Sequence, residues 1–99
     1  MATFAEVAEG VRNAIATYAH ALDDGRTDDV VALFCSDGVS AMPGMDSVAG
    51  HYELRVAYER WKPRVPQRHL VTNTVISAWS DDEATATSDL VFFVNNDAG

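Results

Sequence analysis

Apolar residues recur at Val7, Val11, Ala14, Ile15, Tyr18 and Leu22, which is the spacing of one face of a helix. Thr3 followed three residues on by Glu6 is a capping-box pattern, so the spacing predicts a first helix from about Thr3 to Asp24. Gly25 supplies its stop, because glycine takes the left-handed conformation after a last turn at little cost. Thr27 then caps a short second helix, with Asp28 and Asp29 near its positive end and Val30, Val31, Leu33 and Phe34 as its apolar side. That helix ends at Ser36-Asp37-Gly38. Val39 to Met42 reads as a short strand, and the breakers in Pro43-Gly44-Met45-Asp46-Ser47 make a loop. From His51 onward, Leu54, Ala57, Tyr58 and Trp61 form the apolar stripe of a third helix, which Pro63 and Pro66 prevent from continuing.

The period then changes to two. Arg68 to Ser80 and Glu83 to about Val94 read as two long strands joined by a tight turn at Asp81-Asp82. A two-residue turn would pair Trp79 with Ala84 and Asn73 with Leu90. One face then carries His69, Val71, Asn73, Val75, Ser77 and Trp79, joined across the pair by Ala84, Ala86, Ser88, Leu90, Phe92 and Val94. Being the more apolar face, it is the one expected beneath the helices. The other, with Thr72, Thr74, Thr85, Thr87 and Asp89 beside Ile76, Val91 and Phe93, is half polar and suits solvent or a subunit contact. The elements amount to a single α+β domain over residues 1–99, three helices packed on a curved antiparallel sheet.

Composition narrows the function. A chain of 99 residues with 47% apolar and 22% charged residues has room for one core. A net charge of -8 argues against nonspecific nucleic-acid binding and against an anionic membrane surface, both of which need basic patches. A small molecule or another protein is left as partner. Cys35 is the only cysteine, so no internal disulfide forms, and a reducing, cytoplasmic location is expected. The N-terminus lacks the basic and apolar regions of a secretory signal. The longest strongly apolar run, Leu90 to Val94, falls far short of the roughly 20 residues of a spanning helix. Five of the seven basic residues, Arg55, Arg60, Lys62, Arg64 and Arg68, lie in or just after the third helix, where cations complement the helix dipole.

His69 stands out as the candidate for chemistry. Imidazole exchanges a proton near neutral pH, and a neighbouring carboxylate can set its tautomer. The alternative is a hydrogen-bonded core histidine. The best source of a carboxylate is Asp23-Asp24, since acids at a helix C-terminus oppose its dipole and are not explained by local stability. Tyr18 lies on the apolar side of the same helix and can offer its hydroxyl to a pocket, or serve as core. No phosphate loop, zinc-binding helix or nucleophile elbow is present. His20, His51 and His69 are too scattered to suggest a metal site, so neither metal nor cofactor is expected.

A capped helix carrying Tyr18 and ending in Asp23, then Leu33-Phe34 and Asp37-Gly38, Gly50 opening a helix, Arg68-His69-Leu70-Val71-Thr72-Asn73, and a hairpin with Ala84-Thr85-Ala86 together resemble the SnoaL-like branch of the NTF2-like superfamily. The resemblance implies a cone-like sheet wrapped around helices with a pocket inside. Polyketide cyclases, scytalone dehydratase and ketosteroid isomerase are built this way, often as dimers or higher oligomers. In the dehydratase-like members an aspartate after the first helix orients a general-base histidine, and Asp23 and His69 match those positions. Tyr18 is the counterpart of the tyrosines that polarise a substrate carbonyl. Val71, Asn73, Trp61, Phe34, Leu90 and Phe92 are then the expected ligand-binding residues, with Asn73 a second donor to the oxyanion. The expected function is that of a dehydratase (lyase) or isomerase acting on a small apolar carbonyl or hydroxyl compound, cyclic or polyketide-like. A non-catalytic ligand-binding or dimerisation module is the alternative. Family members continue with two more strands where this chain stops at Asn95 to Gly99. The uncharged Leu90 to Val94 segment is therefore expected to meet a partner chain.

Overall fold

The computed structural model describes residues 1–95, and the ending Asn96 to Gly99 lies outside the described residues. Helix α1 spans Phe4–Asp23, α2 Thr27–Ala32 and α3 His51–Arg60; strands are β1 Val39–Ser40, β2 Val48–Ala49, β3 Gln67–Trp79 and β4 Ala84–Val94. The result is an α+β fold with three helices and antiparallel sheets.

The expected capping box opens α1: Glu6 N donates to Thr3 Oγ1 at 3.2 Å and Thr3 N to Glu6 Oε1 at 3.1 Å. Its end is a Schellman motif, with Gly25 at φ 70°, Arg26 N donating to Ala21 O at 2.8 Å and Gly25 N to Leu22 O at 3.2 Å. That geometry places Asp23 in the last turn with its side chain free to leave the helix. Thr27 is inside the first turn of α2, not its cap. Arg26 holds the N-cap position, and no side chain caps the helix there. The loop expected over residues 43–47 is flanked by a strand that the sequence pattern did not reveal, because β2 is two residues long and pairs Val39 with Ala49 and Ser40 with Val48.

The core lies where the helices meet. Ala21 of α1, Val30 and Val31 of α2, and Leu54 and Tyr58 of α3 are all at most 2% exposed. The long hairpin sits beside this core, and α1 runs antiparallel along β3. At one end Phe4 meets Trp79 edge-on, with centroids 5.7 Å apart, and Ala2 N donates to Asp81 Oδ1 at 2.8 Å. At the other end Asp23 meets His69.

The two-residue turn pairs Trp79 with Ala84 as anticipated, but the register slips twice, between Thr72 and Val75 and between Ile76 and Ala78. Val71, not Asn73, therefore faces Leu90. Asn73 adopts φ 54°, a conformation asparagine tolerates and a mark of a bulge. An inserted residue reverses the alternation. Gln67, His69 and Val71 are the half-buried positions before the bulge, Thr74 and Ile76 after it. Asn73 leaves the His69 face and donates through Nδ2 to Asp89 Oδ2 at 2.9 Å. The helices cover β3 far more than β4, so Leu90, Phe92 and Val94, expected beneath them, remain 57%, 48% and 50% exposed.

Candidate active site

The Schellman turn aims Asp23 at the start of β3, where its carboxylate is met by three donors. His69 Nδ1 lies 2.6 Å from Oδ1, the His69 backbone N–H donates to Oδ2 at 2.7 Å, and Gln67 Nε2 donates to Oδ1 at 3.1 Å. The Asp23 side chain is 5% exposed and that of His69 18%. Burial pushes the Asp23 carboxyl up, but the hydrogen bonds from the His69 ring, the His69 amide and Gln67 outweigh it and hold the carboxyl below the usual carboxylate range. An ionised carboxylate only accepts, so Nδ1 carries the hydrogen in this contact. In the neutral ring Nε2 then keeps a free lone pair.

The strand pattern explains the closeness of the neighbouring ring. Asn95 N donates to Pro66 O at 2.8 Å, which makes 66–95 a hydrogen-bonded pair and puts 69–92 in the alternate, non-hydrogen-bonded class. In that class side chains approach more closely. The His69 and Phe92 rings accordingly stand 4.6 Å apart, tilted by 45°. The His69 amide points to the free edge of β3, where Asp23 accepts it.

His69 and Phe92 form one wall of an apolar cavity of about 230 Å³. Leu22 comes to it from α1, Met42 and Met45 from the β1–β2 connection, Tyr58 and Trp61 from α3 and its end, and Gln67 from β3. Tyr58 O–H is 2.7 Å from the Tyr18 hydroxyl and 3.2 Å from Ser40 Oγ. Burial, then the bond to Tyr58, push the Tyr18 phenol far up, so the Tyr18 hydroxyl keeps its proton across the ordinary pH range.

Of the residues expected at the site, Asp23 meets His69, and Trp61 and Phe92 line the cavity that His69 borders. Tyr18 reaches the cavity wall through Tyr58, against which it also packs edge-on. Phe34 packs edge-on against Tyr18 and tilted against Tyr58, with centroids 6.4 and 6.0 Å away, and its carbonyl meets His51 Nε2 at 2.8 Å. Val71 and Asn73 line a separate cleft beside α1, and Leu90 lies opposite Val71 on the half-exposed row. Sequence reasoning passed over Tyr58, Gln67, Met42 and Met45. Tyr58 reads as core and is core, at 2% exposed, so no signal of period marks its hydroxyl. Among the described residues no cluster of three or more histidine, cysteine or acidic side chains could hold a metal ion.

The Asp23 shift carries a pH signature. A carboxyl lowered in the folded state contributes stability that is fully present above its unfolded value of 3.8 and is lost as pH falls through the folded value. Asp23→Asn is therefore expected to cost stability at neutral pH, with the gap to the parent narrowing below about pH 4. Denaturant midpoints of the two proteins at about pH 7 and about pH 3 measure this. A gap that does not narrow would count against an ionised, hydrogen-bonded Asp23.

Residues 4–99 match a family model described as the SnoaL-like domain. Among solved structures, one from Catenulispora acidiphila is 25% identical with a TM-score of 0.83, aligned over 96% of this chain and 70% of that one. A second from the same organism, in complex with S-DNPA, is 25% identical with a TM-score of 0.80, over 96% of this chain and 72% of that one. ActVI-ORFA of Streptomyces coelicolor shares the fold at 20% identity and a TM-score of 0.77, over 90% of this chain and 69% of that one. The chain spans 65% of a Novosphingobium aromaticivorans structure of the same fold, so it corresponds to about two thirds of the length of such structures. No curated protein matches it. No helix among the described residues is long and apolar enough to cross a membrane.

Proposed function

This chain belongs to the SnoaL-like domain family, and from that premise we propose that it acts on a small apolar carbonyl compound as a dehydratase or isomerase, with His69 as general base. The observation that carries the reading is the 2.6 Å contact of Asp23 with His69 Nδ1 at the wall of an apolar cavity. Nε2 takes a proton alpha to the carbonyl, and Asp23 stabilises the imidazolium that forms. The Tyr58 hydroxyl, backed by Tyr18, donates to the developing oxyanion. The imidazolium then returns its proton, either to a departing β-hydroxyl, giving water and an enone, or to another carbon, giving the isomer. Both outcomes share the first step.

That shared step is the test. Cyclic ketones incubated with the protein in D₂O should take up deuterium alpha to the carbonyl, followed by NMR or mass spectrometry. A panel of cyclic and polyketide-like ketones that exchanges no faster than in buffer alone would sink the general-base reading.

The rival is a non-catalytic ligand-binding module, and one observation favours it. Three protein donors satisfy Asp23, which by itself joins α1 to β3. Binding of S-DNPA, the small molecule held by the Catenulispora structure, without any α-exchange would select this reading.

A homo-oligomer also belongs to the proposal, with a second copy covering the β3–β4 ribbon. Leu90 to Val94 are each 46–57% exposed, and the paired strands carry only Arg68 and Asp89 as formal charges on an otherwise acidic chain, so two copies can meet there without strong repulsion. Light scattering should give a dimer or higher species that Phe93→Lys disperses. A monomer at high concentration removes the oligomer from the proposal.

A further inference from the structure

A cleft of about 420 Å³, with Asp23 and His69 among its lining residues, opens between α1 and β3. Its charge is unlike that of the whole chain. Arg12, His20 and Arg68 line it on a protein of net charge -8. Asp23 is the acid in its wall, and both Asp23 oxygens are already taken by His69 and Gln67. Among the described residues Arg26, Arg55 and Lys62 pair with carboxylates, whereas Arg12 and Arg68 pair with none. Arg68 Nη1 instead donates to the Gln67 carbonyl at 2.6 Å, which leaves the rest of its guanidinium open.

A second observation is independent of these side chains. The 66–95 bond sets the alternation along β3, so the amides of residues 69 and 71 point away from β4. Asp23 takes the first. The Val71 N–H, two residues on, has no strand beside it among the described residues, and Val71 lines the cleft. Ala16 and Ala19 line α1 there, and their short side chains leave room against Val71.

We propose that this cleft is a second binding site, separate from the apolar cavity, for a small organic acid. Its carboxylate accepts from the Val71 amide and pairs with the flanking arginines, while its apolar body lies on Ala16, Ala19 and Leu70. A guanidinium and a backbone amide converging on one carboxylate supply charge-assisted hydrogen bonds that a neutral analogue lacks.

The test uses the whole chain, labelled with ¹⁵N and titrated with phenylacetate and, in parallel, with uncharged phenylacetamide. The expected result is a saturable downfield movement of the Val71 amide proton with phenylacetate alone, and affinity at least about tenfold weaker in the Arg12→Gln/Arg68→Gln double variant. Four results would overturn it: no Val71 movement up to about 10 mM phenylacetate, an equal response to phenylacetamide, an unchanged affinity in the double variant, or shifts centred on Tyr58 and Trp61. Because phenylacetate and phenylacetamide are compared on the unsubstituted protein, the proposal can fail there whether or not the double variant folds.

Discussion

His69→Ala is expected to lower α-proton exchange or turnover by about 10²–10⁴-fold, the usual range for loss of a positioned general base, while leaving the fold in place. The fold should survive because Asp23 keeps two of its three donors, the residue 69 amide and Gln67, in the alanine protein. His69→Gln is the stricter companion, since it fills much of the space and still cannot accept a proton. Asp23→Asn tests the partnership. An asparagine Nδ2 presented to the imidazole would reverse the polarity of the contact, place the ring hydrogen on Nε2 and remove the base. If the two residues act as one unit, the double variant should be little worse than His69→Ala alone. Full activity in His69→Ala, with unfolding curves matching the parent, would end the assignment.

Leu54→Ala carries the largest expected loss of stability. Leu54 is 0% exposed and sits among Ala21, Val30, Val31 and Tyr58, so its truncation leaves a cavity where the three helices meet. Such changes cost about 2–5 kcal/mol. In a domain of this size each kcal/mol moves the melting temperature by about 4–8 °C, so a drop of roughly 10 °C or more is expected in a thermal scan. The contrast with Tyr52→Ala is useful, because Tyr52 lies on the same helix and is 76% exposed. That variant should melt close to the parent. Equal losses from the two would mean that the helix does not bury the Leu54 face.

The consequence for function follows from the same packing. Tyr58 is one turn from Leu54 on α3, its ring packs on Trp61 at a centroid distance of 5.1 Å, and both line the cavity. A loosened core would therefore also misplace the cavity wall. Reactions lose rate steeply when positioning groups shift by about 1 Å, so Leu54→Ala should lower activity even where the protein remains folded.

Much of the architecture was legible in the sequence because local rules carry it. The capping box at Thr3 and Glu6, the stop at Gly25, the stripe of Leu54, Ala57 and Tyr58, and the hairpin turn at Asp81-Asp82 each depend on residues within a few positions of one another. Asp23 and His69 stood out singly for a similar reason: an acid at a helix end that its dipole disfavours, and a polar ring in an apolar row. What the sequence could not decide was whether they meet. They are 46 residues apart, and only the path of α1 along β3 brings their atoms to 2.6 Å.

The same limit explains the errors. Perfect alternation assigns Asn73 to the His69 face, but pairing with β4 inserts a bulge there, and the extra residue reverses the side chains from that point to the second slip after Ile76. The apolar row of β4 was expected under the helices, yet α1 lies along β3 and leaves that row half open. Tyr58 reads as a core residue and is one; its hydroxyl has partners because Tyr18 and Ser40 converge on it from other elements. Period, caps and turns are properties of neighbouring residues, and the sequence by itself determined them. Register, the choice of covered strand and the company a hydroxyl keeps are set by contacts between distant segments, and only the tertiary structure decided those.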